Sequence, residues 1–256
     1  MYKNPRRAAA AAALLFALAS AHGARAQGGT QTTGTPPAAP SAAQSGQPSA
    51  APQGGTQMKK EDGHEWAPIL EQKVDYKDWT FKSLKDGAPL SLRELAKGKK
   101  LLMVVYFAPW CGNWRAEAPT VWRLYEKYKA EGFEVVGVSE YGAAADSKAY
   151  FDSQGGLSFP VVVESEAADA REKTTHYGYR QASGDTRRWG SPFNVFLEPA
   201  KLNKSGEVLT ERAWVVGGEL IEKDVERFIR ERLGLSEQSA AEQCSDEPKA
   251  DIVRKP

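Results

Sequence analysis

Cys111 closes an apolar run, in the phrase Phe107-Ala108-Pro109-Trp110-Cys111-Gly112-Asn113-Trp114. Sulfur is a nucleophile only as thiolate, and the free N–H groups and partial positive charge at the first turn of a helix favour that anion. The run before Cys111 reads as a buried strand and the residues after it as a helix, so the thiol falls at such a junction. Its chemistry would be attack on a disulfide, giving a mixed disulfide that a second thiol must resolve. Trp114, three positions on, has no thiol to offer. The plainer reading of Cys111 is a small buried apolar residue, as many free cysteines are.

The chain has one other cysteine, Cys244, in Gln243-Cys244-Ser245-Asp246-Glu247. It is the candidate resolving thiol within the chain, because loop closure becomes only slowly harder with length. The acidic neighbours make it a slow one, since like charge disfavours the thiolate. Two cysteines are too few to staple a fold, so an apolar core must hold it. His64 and His176 are isolated, His176 reading as an end-of-helix residue, and no Cys, His, Asp and Glu grouping has metal-ligand spacing. There is no Ser-His-Asp signature, phosphate-cradling loop or dinucleotide fingerprint, so no metal and no cofactor is expected.

The elements that must position Cys111 follow from periodicity. Trp79 to Leu84 and Ala88 to Leu90 predict a hairpin around Asp86-Gly87, and Ser91 a cap for a short helix through Ala96, with Glu94 reaching back. Lys99 to Phe107 is too uniformly apolar for a half-exposed strand and belongs in the middle of a sheet covered on both faces. Cys111 to Ala130 predicts a helix with Val121, Leu124, Tyr125 and Tyr128 on one stripe, kinked at Pro119. Strands at 133–138 and 161–163, helices at 144–154 and 167–177 (ending at Gly178), strands at 193–197 and 208–216 and a helix at 220–233 complete the pattern. Arg180 to Gly190 reads as a polar surface insertion. The fold class is α/β, a sandwich with a mixed sheet flanked by helices.

Outside that domain the composition changes. Residues 1–26 have a basic start, an apolar run from Ala8 to Ala19 too short to span a bilayer, and the triplet Ala24-Arg25-Ala26, which together read as a secretory signal peptide; an uncleaved anchor is the alternative. Residues 27–63 form a low-complexity flexible linker, 64–235 the folded domain and 236–256 a polar tail. The chain has 34 basic and 33 acidic residues, and losing Lys3, Arg6, Arg7 and Arg25 with the signal leaves 30 against 33, net −3. That balance carries no basic footprint for nucleic acid and no polybasic run for anionic lipid. Export, to the periplasm or another extracytoplasmic space, and no membrane attachment after cleavage are the expectations.

The stretch Trp110-Cys111-Gly112-Asn113-Trp114-Arg115-Ala116-Glu117-Ala118-Pro119 resembles the Trp-Cys-x-x-Cys-x-x-Glu-x-Pro motif of the thioredoxin fold's exported TlpA-like thiol-disulfide oxidoreductases, within the redoxin superfamily. It matches at Trp110, Cys111, Glu117 and Pro119 and departs at Trp114. The resemblance extends through Phe159 to Glu164, His176-Tyr177-Gly178, Pro192 to Leu197 and Gly217-Gly218, roughly residues 75 to 235. It implies a thioredoxin-like sandwich with an N-terminal β-hairpin, Cys111 as the catalytic thiol and Glu117 as a group tuning its proton. It also implies a cis Ser191-Pro192 bond opposite the thiol, with Trp110, Gly112, Asn113, Trp114, Ser191 and Pro192 as contacts for an extended protein substrate. Three functions fit: a monothiol oxidoreductase resolved by an external thiol, the same enzyme resolved by Cys244, or a redox-inactive module binding an extended partner segment, to which Trp110, Trp114 and Trp189 would lend apolar area. Peroxiredoxin chemistry is disfavoured, because Ala108 and Val104 stand where that motif needs Thr or Ser and Pro.

Overall fold

The structure, a computed structural model, describes residues 59–61 and 63–235. The expected signal, nearly all of the linker, and the tail with Cys244 lie outside the described residues. In chain order the elements are β1 (Lys59–Glu61), β2 (His64–Ala67), β3 (Leu70–Lys77), β4 (Thr80–Ser83), β5 (Pro89–Ser91), α1 (Leu92–Ala96), β6 (Leu101–Phe107) and α2 (Gly112–Tyr128). Then follow β7 (Phe133–Ser139), α3 (Ala144–Ser153), β8 (Val161–Val163), α4 (Thr175–Ala182), β9 (Phe193–Leu197), β10 (Val208–Val216), β11 (Glu219–Leu220) and α5 (Glu222–Leu233).

The continuous apolar run of β6 is buried at all seven residues because the strand has neighbours on both edges and helices over both faces. It pairs parallel with β7 and antiparallel with β9, at the centre of an eight-stranded sheet ordered β3-β10-β9-β6-β7-β8-β4-β5. Alternate residues then serve opposite cores. Leu101, Met103, Val105 and Phe107 pack with Trp114, Val121 and Leu124 of α2, Phe151 of α3 and Phe228 of α5. Leu102, Val104 and Tyr106 pack with Leu92 of α1 and Tyr179 of α4. This is the α/β thioredoxin-like sandwich, a mixed sheet flanked by helices, that the motif implied.

Pro119 lies inside α2, which continues to Tyr128. Several local expectations need correction. Ser91 sits at the N-cap of α1 but its side chain makes no capping bond, and Glu94 turns to Lys97 instead. The helix expected over 167–177 is a 3₁₀ segment at Ala168–Lys173 followed by α4, whose N-cap Thr174 accepts from Tyr177 N at 3.1 Å. Gly178 therefore lies inside a helix rather than ending one, because burial of His176, Tyr179 and Arg180 outweighs the roughly 1 kcal/mol that glycine costs there. Ordered pairing also begins before the domain start read from composition: β1 pairs with β2, which runs parallel to β11 in a three-stranded sheet.

The stretch from Arg180 to Gly190 lies at the surface in part, with Gln181, Gly184, Thr186 and Arg188 exposed, but it is not only a polar surface insertion. Arg180, Asp185 and Arg187 form a buried ion cluster, with Arg180 Nε 3.2 Å and Arg187 Nη2 2.8 Å from the Asp185 carboxylate. Glu65 of β2 balances the second arginine at 3.3 Å. Paired this way, charges that composition assigns to solvent become interior cross-links.

Candidate active site

Cys111 N donates to Ala108 O at 3.0 Å, closing a turn at Pro109-Trp110, and Arg115 N donates to Cys111 O at 3.2 Å as α2 begins. Cys111 is thus the N-cap, but its side chain makes no capping bond. The half-buried thiol turns to the proline loop, where Sγ donates to Ser191 O at 3.2 Å. The Ser191-Pro192 peptide is cis. Ser191 Oγ accepts from Ala108 N at 2.9 Å, joining the loop to the end of β6. Both Ser191 and Pro192 are buried, whereas Gly112 is exposed and Asn113 half-buried.

Trp114 does not reach this surface. Its side chain is 0% exposed and stacks on Phe107 with ring centroids 4.7 Å apart, inside the core under α2. The expected contact with a docked substrate is therefore corrected: the side chain points inward from α2 and fills core volume. Its indole Nε1 has no hydrogen-bond partner among the described residues.

Glu117, one turn further on, is also buried. Its Oε2 accepts from Leu220 N at 2.7 Å and Asn194 Nδ2 at 3.4 Å, and Oε1 has no partner among the described residues. Burial pushes its pKa up to about 8, against the pull of those two donors; the Glu219 carboxylate adds to the rise and Arg187 offsets part of it. At neutral pH this side chain is mostly a neutral acid beneath the thiol's helix.

The rim is aromatic. Trp110, 45% exposed, donates from Nε1 to Tyr141 O at 2.9 Å and meets Trp189 edge-on at 5.3 Å. Gly142 permits this packing, since a Cβ there would lie 2.7 Å from the Pro109 ring. Arg171 and Arg188 stand over the Trp189 ring at 5.3 and 5.2 Å.

Two groups whose roles sequence reasoning missed hold the proline loop, and a third is a buried carboxyl apart from it. Arg187 Nη2 donates to Pro192 O at 2.9 Å, anchoring the loop to the buried ion cluster. His176 is wholly buried and links Tyr141 OH (2.9 Å) to Gly190 O (3.1 Å); burial, with Arg180 nearby, holds its pKa well below the usual histidine value. It is a structural bridge in the first turn of α4, at the start of that helix rather than at the end of one over 167–177. Glu140 lies at the end of β7 beside Glu164, and burial together with that carboxyl keeps it protonated well above the usual carboxylate range. The signal for these groups was present only as polar residues beside apolar ones, which does not reveal the partner. Among the described residues no group of His, Cys, Asp and Glu could hold a metal ion.

The geometry is that of a half-buried free thiol set against a cis-proline loop, with no second thiol beside it among the described residues. Residues 73–188 match the model of the AhpC/TSA family. Among curated proteins the chain is similar to a probable phospholipid hydroperoxide glutathione peroxidase of Helianthus annuus, 27% identical over 149 residues, which cover 53% of this chain and 79% of that protein. A protein of the same description from Citrus sinensis is 26% identical over 170 residues, 62% of this chain and 96% of that one. Among solved structures it is similar to a thiol:disulfide interchange protein of the thioredoxin family from Chlorobium tepidum TLS, with 24% identity, 62% of this chain and 95% of that chain covered, and a TM-score of 0.43.

Proposed function

We propose that this chain, a thioredoxin-fold protein matching the AhpC/TSA redoxins over residues 73–188, is an exported monothiol thiol-disulfide oxidoreductase acting on protein thiols or disulfides. The observation that carries the reading is the contact of Cys111 Sγ with Ser191 O at 3.2 Å, beside a cis-proline. An extended substrate segment pairing with the Ser191 backbone would bring its own sulfur to Cys111, and Trp110, Gly112 and Asn113 would flank it. Exchange then proceeds by attack of the Cys111 thiolate on a substrate sulfur, and the other substrate sulfur leaves with the electron pair and takes up a proton. Glu117, mostly protonated under the helix, is the group placed to tune that proton's movement.

Geometry favours an external thiol over Cys244 for the second step. Arg123 meets Glu222 and Lys127 meets Glu226, each at 2.7 Å, so α5 runs parallel to α2 and away from the thiol. At about 1.5 Å per helical residue, the end of α5 lies roughly 35 Å from Cys111. The stretch from Leu235 to Cys244 spans at most about 30 Å when fully extended, which leaves no slack.

Peroxide reduction, the activity printed for the curated relatives, finds less support. Val104 and Ala108, both wholly buried, stand where the peroxiredoxin motif needs Pro and a hydroxyl residue and supply no hydroxyl. The redox-inactive binding module stays the second reading, because Trp114 fills the second thiol's position with core.

The test uses the reduced full chain and an extended peptide whose single cysteine is activated as its thionitrobenzoate mixed disulfide. One equivalent of thionitrobenzoate should be released, the release being abolished in Cys111→Ser and retained in Cys244→Ser. Peptide binding without release supports the binding module instead, and consumption of hydrogen peroxide through Cys111 supports the peroxidase.

A further inference from the structure

Strand β2 brings two residues, His64 and Glu65, to the surroundings of the thiol. Glu219 Oε1 accepts from His64 Nδ1 at 2.8 Å, and Glu219 Oε2 accepts from the Glu65 backbone N at 2.6 Å. Glu219 is 0% exposed, so both oxygens of a carboxyl sealed from solvent are met by β2. Gly218 lets the strand come this close, since a Cβ there would collide with Glu65 O. Ala67 then continues β2 into the core shared by Trp114 and Leu220.

From β2 the contacts continue without a gap to the sulfur. Glu65 Oε2 lies 3.3 Å from Arg187 Nη1, and Arg187 Nη2 donates to Pro192 O at 2.9 Å. Across the cis Ser191-Pro192 peptide, Cys111 Sγ donates to Ser191 O at 3.2 Å. Glu65 stands in this chain for an electrostatic reason. The side chains of Arg180 and Arg187 are 1% and 6% exposed and share Asp185, so two buried guanidiniums meet one buried carboxylate. A buried charge is costly unless it is paired. Glu65 supplies the second carboxylate, and the guanidinium that donates to Pro192 O is thereby held from two sides.

We propose that His64 and Glu65 are positioning residues of the redox site: Glu65 holds the Ser191-Pro192 loop through Arg187, His64 holds β2 to Glu219, and together they set the site's preference for an extended peptide over a small disulfide. This rests on the single-thiol reading and adds to it the part of the chain that keeps the peptide-binding loop in place. A small disulfide needs only the sulfur of Cys111. An extended peptide must also pair with the Ser191 backbone, and displacing that backbone misaligns the peptide's sulfur while leaving the thiol itself unchanged. Loss of either β2 contact therefore acts selectively on the peptide.

The test uses the reduced full chain carrying Cys244→Ser, which leaves one thiol, and two reagents that share a leaving group. These are an extended single-cysteine peptide and 2-mercaptoethanol, each as its thionitrobenzoate mixed disulfide. In both, the Cys111 thiolate attacks the carrier's sulfur, and thionitrobenzoate leaves with the electron pair. The parent chain should react faster with the peptide. Glu65→Gln and Gly218→Ala should each lower the peptide rate about tenfold, the lower end for a lost hydrogen bond to a charged group, and leave the rate with the small reagent unchanged. His64→Ala should do the same, whereas His64→Asn, which keeps a donor near the Nδ1 position, should restore the peptide rate. Near-ultraviolet circular dichroism and thermal melts check that each variant is folded at the assay temperature. Should Gly218→Ala fail to fold, Glu65→Gln, which preserves the shape of the side chain, carries the test alone. A parent with no preference for the peptide, a preference unmoved by Glu65→Gln, or an equal fall with both reagents overturns the positioning proposal while the reactive thiol stands. No release from either reagent sinks the single-thiol reading itself.

Discussion

A carboxyl sealed under α2 makes stability depend on pH at a single residue. Glu117 has a folded-state pKa of about 8 against an ordinary value of 4.5, so between those pH values the native state holds a proton that the unfolded chain has lost. Stability then falls as pH rises through that window, on the order of a few kcal/mol in all. Glu117→Gln should flatten this slope, read as denaturant midpoints from pH 5 to 8; an equally steep slope in the variant would remove Glu117 as its source. The position of Glu117 near the thiol was legible in the motif. Its burial was not, because an acid on a helix reads as a solvated residue until the partners Leu220 and Asn194 come together from distant strands. For Trp114 the legible fact was a tryptophan where the resembled motif has its second cysteine. Which way the ring faced depended on Phe107 lying beneath it.

At the scale of elements, Trp114 welds α2 to the sheet. Truncating Trp114 to Ala should cost about 3–5 kcal/mol, the range for large aromatic deletions in a core, measured by urea unfolding. Trp114→Cys should be destabilised by a similar amount yet acquire what the native site lacks: a mixed disulfide formed at Cys111 should discharge without added thiol. The proline loop makes the matching case on the other side of the sulfur. Arg187→Met removes the donor to Pro192 O and leaves the Asp185 carboxylate with Arg180 alone. Breaking a buried pair in this way costs about 3–5 kcal/mol, and the thionitrobenzoate release rate should fall as well, since the loop loses an anchor. A variant as stable and as fast as wild type would show that the cluster neither holds the loop nor the fold. None of this cluster was legible, since Arg180, Asp185 and Arg187 look in sequence like any polar loop. Only the approach of the loop to Glu65 and to the Pro192 carbonyl turns them inward.

For the whole molecule, the strands were legible where burial is complete, because β6 and most of β7 are apolar, but their order in the sheet was not. β1, β2 and β3 were missed. β3 alternates exposed positions with the buried pair Val74 and Tyr76, a period-two signal diluted by the charges between them, while β1 and β2 exist through pairing with each other and with β11. Among the described residues no helix is long and apolar enough to cross a membrane. Because α5 carries the chain away from the thiol, Cys111 and Cys244 of one monomer should stay unlinked after mild oxidation. Non-reducing peptide mapping of the monomer checks this, and a Cys111–Cys244 peptide pair would restore the tail as resolver.

The central claim is that Cys111 performs half of a dithiol exchange and waits for an outside thiol to complete it. The most direct measurement takes the Cys244→Ser chain, incubates it reduced with an excess of a disulfide-bonded extended peptide, removes the excess, and follows intact mass without reductant over hours. The predicted result is a one-to-one Cys111–peptide mixed disulfide that persists until a small thiol such as cysteine is added, then disappears with return of the free chain. Failure to form that adduct, or its spontaneous loss without any added thiol, would contradict the account.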